Sequence, residues 1–234
     1  MIVRNIKIPK IEIIAAWSTA QNLFVMSSNN IVYKLIQNEF KQNDQRVNQT
    51  VVETEDCSYM NMIVSGTVQN QQKHLFIKNM KSYVLCNNHL YKLAHFFLYR
   101  YKSYWGAQNL TQPIQFGVIC ASSAELFVIS ENTVNVINPH TATVQQLTFS
   151  CPYSSYQSAV YFNNKIILFG GITENSNLNR SFTVLDLLNN KTEQFNNFQI
   201  PVSNNAHMVL CGSKIYLFAA NSCFEIYFLE QLEF

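Results

Sequence analysis

The sequence predicts an all-β fold made of repeated units of four short strands. Three observations support this prediction: a Leu-Phe pair recurs along the chain, short apolar runs alternate with polar turn residues, and prolines precede most copies of the pair at similar distances. Such patterning is typical of all-β architectures, and a long repeat indicates one structural unit copied several times. The pair lies at 23–24, 75–76, 126–127, 168–169 and 217–218, at intervals of 52, 51, 42 and 49 residues. We assign each pair to the second strand of its unit.

The repeat covers the whole chain of 234 residues, so we expect a single domain, 1–234. The five units are expected at about 9–56, 57–112, 113–151, 152–200 and 201–234, the last completed by residues 2–8. A unit of this size cannot bury its apolar face alone, which favours a radial or stacked array.

The fourth unit shows its strands most clearly. Apolar runs cover 158–161, 165–169, 181–187 and 192–198, separated by Asn, Gly and Ser. Asn163-Asn164 and Asn189-Asn190 predict two-residue hairpin turns, because Asn accepts the positive φ that such turns need. Four antiparallel strands in about 45 residues match one blade of a β-propeller.

This unit also resembles the kelch repeat. Asn164-Lys-Ile-Ile-Leu-Phe-Gly170-Gly171, Ser181-Phe-Thr-Val-Leu-Asp186 and Asn190-Lys-Thr-Glu-Gln-Phe195 together are similar to a nearly complete kelch motif. In that family two glycines end the second strand at a sharp turn, and an aromatic residue of the fourth strand packs between blades. Gly170, Gly171 and Phe195 match those positions. The resemblance implies a β-propeller of about five four-stranded kelch-like blades, or a fragment of a longer propeller.

The N-terminal run is expected to complete the last blade. The last unit stops where its fourth strand should begin, and Asn5-Ile-Lys-Ile-Pro9 is similar to Asn197-Phe-Gln-Ile-Pro201, which follows the fourth strand of the preceding unit. Pairing residues 2–8 with the last C-terminal strand would cover two sheet edges that are otherwise open.

Composition indicates a chain that is neither secreted nor membrane-spanning. Hydrophobic residues make up 48% and charged residues 13%, and no run of 18 apolar residues occurs. The N-terminus lacks the apolar core of a signal peptide. The six cysteines form no C-x-x-C pair and are expected to be reduced, mostly buried thiols. We therefore expect a cytoplasmic location, with nuclear or cytoskeletal locations as alternatives.

The second unit is the most unusual in charge. It has no Asp or Glu between Cys57 and Ala124, and it interleaves cations with aromatic residues. We predict a partner-binding surface formed by Lys73, Lys78, Lys81, Lys92, Arg100, Tyr101, Lys102, Tyr104 and Trp105. Such a surface suits another protein with an acidic surface. It could also stack bases and neutralise phosphates, but the net charge of +2 is low for nucleic-acid binding.

No catalytic or metal-binding pattern is apparent. The five histidines never fall at i, i+4 with an acid between them and do not cluster with cysteines at metal-ligand spacing, and no nucleophile elbow or glycine-rich phosphate loop is present. We expect no cofactor and no metal, and predict a non-enzymatic interaction scaffold or adaptor, a subunit of a larger assembly. The alternatives are a propeller enzyme or small-ligand (sugar) binding protein, and a nucleic-acid-binding module. Kelch domains commonly bind proteins through loops on one face, as the resemblance implies.

Overall fold

The computed structural model describes most of the chain as β-strands joined by turns. The described residues are 1–8, 10–11, 13–19, 22–27, 31–37, 39–46, 52–54, 57–59, 73–78, 81–86, 89–93, 104–112, 117–122, 124–130, 132–138, 140–151, 158–172, 177–196, 198–201, 206–219 and 221–227. Within 43–109 the description covers the backbone only.

The described strands number 22. They are β1 (Ile2–Ile6), β2 (Ile13–Thr19), β3 (Asn22–Ser27), β4 (Ile31–Ile36), β5 (Glu39–Arg46), β6 (Val52–Thr54), β7 (Cys57–Tyr59), β8 (Lys73–Lys78), β9 (Lys81–Cys86), β10 (His89–Leu93), β11 (Tyr104–Asn109), β12 (Val118–Ala121), β13 (Leu126–Ser130), β14 (Thr133–Ile137), β15 (Val144–Thr148), β16 (Ser158–Phe162), β17 (Lys165–Phe169), β18 (Phe182–Asp186), β19 (Lys191–Phe195), β20 (Ala206–Cys211), β21 (Lys214–Ala219) and β22 (Ser222–Tyr227).

Within this described part, twenty of the strands form five four-stranded antiparallel sheets. In chain order these are sheet 1 (β2–β5), sheet 2 (β8–β11), sheet 3 (β12–β15), sheet 4 (β16–β19) and sheet 5 (β20–β22 with β1). The remaining strands, β6 and β7, form a separate hairpin. The predicted all-β class and the four-stranded unit are confirmed.

The N-terminal strand completes sheet 5, as predicted. β1 pairs with β22 over five residue pairs, from Ile2 opposite Tyr227 to Ile6 opposite Cys223. An isolated parallel bridge from Lys7 to Glu39 then connects the chain to sheet 1. The edge of β22 is therefore covered by the other end of the chain.

The first strands of successive sheets pack against one another, in the order β8, β12, β16, β20 and β2. This contact order follows the sequence from sheet 2 to sheet 5 and then reaches sheet 1. Successive sheets are consequently neighbours, and described core layers lie between sheets 3 and 4, 4 and 5, and 5 and 1.

The core lies between the sheets. Phe169 and Phe182 of sheet 4 pack with Met208 and Leu217 of sheet 5, and a similar layer joins sheets 3 and 4. A third layer joins sheets 5 and 1, where the rings of Phe40 and Phe218 meet edge to face at 5.9 Å. Each fully buried Phe or Leu contributes roughly 1.5–3 kcal/mol by leaving water, so these layers hold the array together.

Hydrogen bonds also cross the layers. Ser18 Oγ donates to the Leu210 carbonyl at 2.6 Å, joining sheets 1 and 5, and Met208 N donates to Ser158 Oγ at 2.7 Å, joining sheets 5 and 4. Thr111, which follows sheet 2, accepts from Val144 N on its Oγ1 at 2.9 Å. These bonds fix the register between neighbouring sheets.

The tight turn at Asn163-Asn164 is confirmed, with φ of 48° and 58°. The predicted two-residue turn at Asn189-Asn190 is wrong, because β18 ends at Asp186 and β19 begins at Lys191, which leaves a four-residue turn at 187–190. The assignment of every Leu-Phe pair to a second strand is also wrong in one unit. Leu75 lies in β8, the first strand of sheet 2.

Candidate functional site

A polar groove lies on the outer side of the array, between sheets 3 and 4. It encloses about 300 Å³. Its lining residues come from the outer strand β15 and the segment after it, and from the outer strand β19 with the turn before it: Thr148, Phe149, Ser150, Asn190, Thr192 and Gln194. None of the six is ionisable, so the groove offers hydroxyl and amide groups without charge.

Asn132 holds the wall that follows β15. Its carbonyl accepts from Phe149 N at 3.0 Å, and its side-chain Oδ1 accepts from Cys151 N at 3.1 Å. The Phe149 ring is buried in the layer between sheets 3 and 4. Thr148 and Ser150 are both exposed at this wall. The amides of Phe149 and Cys151 are therefore engaged internally, while Thr148 and Ser150 place their hydroxyl groups on the exposed side of this wall.

The opposite wall is β19. Thr192 and Gln194 stand opposite Leu185 and Thr183 of β18 in the register. Leu185 belongs to the core layer between sheets 3 and 4, so alternation along the strand places Thr192 and Gln194 on the face that looks toward sheet 3. Lys191 and Glu193 alternate with them and lie on the other face.

Asp186 shapes the turn at one end of this wall. Its Oδ1 accepts from Leu188 N and Asn189 N, both at 3.0 Å, and its Oδ2 accepts from Asn189 Nδ2 at 3.0 Å. The hydrogen bond from the Asn189 side chain leads the interactions that lower the pKa of Asp186, so the carboxylate is ionised at neutral pH.

The same turn presents Leu188 to solvent. Its side chain is 75% exposed. Within the described part, the other exposed large hydrophobic side chain is that of Ile36, at 41%. The Asp186 bonds reduce the freedom of the turn backbone, so Leu188 is held outward on the turn whose last residue, Asn190, lines the groove. An exposed leucine on a constrained turn loses little conformational entropy when a partner covers it.

A second polar cluster lies between sheets 5 and 1. Glu225 is 1% exposed and forms an ion pair with Lys214, with Nζ and Oε1 2.6 Å apart, and Tyr216 donates to the same oxygen at 3.4 Å. Burial opposes ionisation of Glu225, but the hydrogen bonds from Lys214 and Tyr227 and the charge of Lys214 together outweigh it, so the pKa of Glu225 is lowered. This cluster is an internal ion pair that joins β21 to β22.

The predicted basic surface is described in part. Lys73, Lys78, Lys81, Lys92, Tyr104 and Trp105 lie on strands β8 to β11, and Arg100, Tyr101 and Lys102 lie outside the described residues. The register places Lys92 opposite Trp105, and Lys78 opposite Lys81. The side chains of this sheet are outside the described part, so the surface stays a prediction.

The remaining candidates form no reactive cluster in the described part. No group of three His, Cys, Asp or Glu side chains there could hold a metal ion. Cys120 and Cys223 are buried, and burial raises the pKa of each thiol. No helix among the described residues is long and apolar enough to cross a membrane.

Sequence reasoning missed the groove, because its residues come from two units. One local signal was available. The strand is predicted to end at 187, so Leu188 is an apolar residue that lies beyond the strand and directly before the turn residues Asn189 and Asn190. A leucine between turn-forming residues has no strand partner to cover it.

The comparisons with known proteins identify no relative. No protein-family model matches the chain, and no curated protein matches it. A solved structure of selenomethionine-substituted virginiamycin B lyase from Staphylococcus aureus is similar over 97% of this chain and 98% of its own, with 11% identity and a TM-score of 0.47. A likeness at this level assigns neither a family nor an activity to this chain.

Proposed function

We propose that this chain is a five-bladed, kelch-like propeller that acts as a non-enzymatic scaffold for protein binding, as a subunit of a larger assembly. The packing of successive four-stranded sheets and the N-terminal strand in sheet 5 support the propeller. The kelch resemblance is supported by Gly170 and Gly171, which have φ of 75° and 110° directly after β17.

The observation that carries the binding role is Leu188. A side chain this exposed is in contact with water in the isolated chain, and the Asp186 hydrogen bonds hold its turn in one shape. A partner that covers this leucine removes its apolar surface from water, which stabilises the complex by about 25 cal/mol for each Å² buried. The adjacent neutral groove supplies hydrogen-bonding groups around this apolar contact, an arrangement typical of protein interfaces.

The test is affinity purification of the tagged full chain from its native cell, comparing wild type with Leu188→Asp. Ile36→Asp is the matched control, because Ile36 is also an exposed large hydrophobic residue. We expect Leu188→Asp to lose specific partners that wild type and Ile36→Asp retain. Both variants should keep the wild-type melting temperature, because both side chains are exposed. Retention of every partner by Leu188→Asp would contradict the proposal.

Sheet 2, which carries part of the predicted basic surface, supports a second docking surface. Lys92 opposite Trp105 in one cross-strand pair combines a cation with an aromatic residue, which suits an acidic protein surface or a nucleic acid. Replacing Lys92, Arg100 and Lys102 with Ser should remove that partner. A nucleic acid would also show affinity that falls steeply with salt, whereas a protein partner would not show the same slope.

A further inference from the structure

We propose that the groove binds an extended segment of a partner protein, which adds to the outer edge of β19 as a further strand and places uncharged polar side chains in the groove. This inference rests on the proposed scaffold function and specifies its ligand. It concerns the outer rim of the array, whereas the kelch resemblance points to loops on one face.

The first support is the position of β19. In sheet 4 the strand order is β16, β17, β18, β19, so β19 pairs with β18 on one side and has no strand on the other within the described part. An edge strand presents alternating N–H and C=O groups outward, and these can pair with an incoming extended chain. The exposed positions along β19 include Lys191, Glu193 and Gln194.

The two walls of the groove differ in what they offer. Across from β19, the amides of Phe149 and Cys151 already donate to Asn132. That wall contributes the Thr148 and Ser150 hydroxyls. The outer strand β15 is also the last strand of its sheet within the described part, and we assign the strand pairing to β19 because the exposed Leu188 lies on the turn that leads into it. A segment in the groove would bond to β19 through its backbone and to the opposite wall through side chains.

The lining determines the side chains that fit. A charged side chain on the groove side would lose water without gaining an opposite charge, because the six lining residues are neutral. Ser, Thr, Asn or Gln can exchange hydrogen bonds with Thr192 and Gln194. On the other face of β19, Lys191 and Glu193 can pair with opposite charges, so the segment is expected to alternate neutral polar with charged residues.

A neutral oligosaccharide has similar hydrogen-bonding chemistry but fits less well. Sugar sites use an exposed aromatic face as a platform, and the ring of Phe149 is buried in the core layer. Leu188, next to the groove, favours a ligand that also carries an apolar side chain. Both features favour a peptide.

The test uses the full-length chain and three probes. The first is a pool of synthetic peptides of about eight residues, long enough to extend past a five-residue strand, with Ser, Thr, Asn or Gln at every second position. The second pool carries Asp, Glu, Lys or Arg at those positions. The third probe is a neutral hexasaccharide. Binding is measured by titration, and the amides of β19 are followed by hydrogen exchange with and without probe.

We expect the neutral pool to yield binders that slow exchange of the β19 amides. Thr192→Asp should weaken these binders about tenfold or more, because it places an unpaired charge against them. Gln42→Asp, on the outer strand β5 of sheet 1, is the matched control and should have no effect.

Three results would overturn the inference: binding by the charged pool alone, binding by the hexasaccharide without peptide binding, or peptide binding with unchanged exchange in β19. If one of them occurs while Leu188→Asp still loses native partners, the scaffold function stands and only the strand-addition ligand is rejected. If Leu188→Asp also keeps every partner, both are rejected.

Discussion

Replacing Lys214 with Met tests the buried ion pair between sheets 5 and 1. The substitution keeps much of the aliphatic stem but removes the charge that compensates Glu225, whose side chain is 1% exposed. Breaking a buried pair by removing one partner costs roughly 3–5 kcal/mol. Because the Lys214 side chain is 45% exposed, solvent screening reduces this, and we expect a loss of about 2 kcal/mol at neutral pH. For a chain of this size that lowers the melting temperature by about 4–8 °C.

The pH dependence distinguishes a charge effect from a packing effect. In the native protein the pKa of Glu225 is lowered from its ordinary value of 4.5, so its stabilisation is present above that pH and is lost as the pH falls through the native pKa. In Lys214→Met, burial is no longer outweighed by the lysine, so the pKa of Glu225 should rise. Protonation of Glu225 then stabilises the variant, and the difference in melting temperature between the variant and wild type should become smaller between about pH 7 and pH 4.

The assay is thermal unfolding of both proteins across this pH range. Lys41→Met, at an exposed position of β5, is the matched control and should change the melting temperature little at any pH. The double variant Lys214→Met with Glu225→Gln should be more stable than Lys214→Met alone at neutral pH, because it no longer buries an uncompensated charge. A deficit that stays constant from neutral to acid pH would refute the reasoning.

Three further predictions concern the fold. Deleting residues 1–9 removes β1 and the buried Ile6, and should lower the melting temperature by at least about 5 °C. Replacing the exposed Arg4 and Asn5 with Ser is the control and should leave the melting temperature unchanged. An unchanged melting temperature in the deletion variant would contradict the role of β1. Gly171→Ala should destabilise more than Gly212→Ala, because φ is 110° at Gly171 and 63° at Gly212, where a Cβ meets no atom within 4 Å; equal losses would argue against strain at Gly171. Cys120 and Cys223 should resist iodoacetamide in the native protein and react after denaturation, as seen by peptide mass spectrometry, and rapid native labelling would show that they are not buried.

The strand pattern was readable from the sequence because it follows from local chemistry. Short apolar runs bounded by Asn, Gly or Ser are typical of short strands, and Asn163-Asn164 has the positive φ that its turn requires. The pairing of β1 with β22 was also readable, since the missing strand of the last unit and the unpaired N-terminal run matched in sequence.

The diglycine occurs in a single unit for a structural reason. In sheet 4 the second and third strands are joined by the long segment between Phe169 and Phe182, and the backbone leaves β17 through Gly170 and Gly171. In sheets 3 and 5 the same strands are joined by two residues, between Ser130 and Thr133 and between Ala219 and Ser222. Neither of these two-residue connections contains a glycine: they are Glu131-Asn132 and Ala220-Asn221.

The errors came from features that local sequence does not determine. A Leu-Phe pair fits any buried strand, so the pair at 75–76 gave no information on strand order. In sheet 2 the pair lies in the first strand, and Leu75 stands opposite Val84 of the second strand. The turn at 187–190 is set by side-chain bonds of Asp186, which lengthen it beyond the Asn pair. The groove depends on how two sheets pack, and no pattern within one unit contains that information.

Cross-linking mass spectrometry on complexes purified from the native cell tests the central claim most directly. Lys165 and Lys191 stand opposite Asp186 on either side of β18 and flank the Leu188 turn and the groove. We predict that lysine-specific cross-links to partner proteins concentrate at these two lysines in wild type and disappear in Leu188→Asp. Cross-links confined to Lys73, Lys78, Lys81 and Lys92, with none at Lys165 or Lys191, would contradict a docking site at the groove.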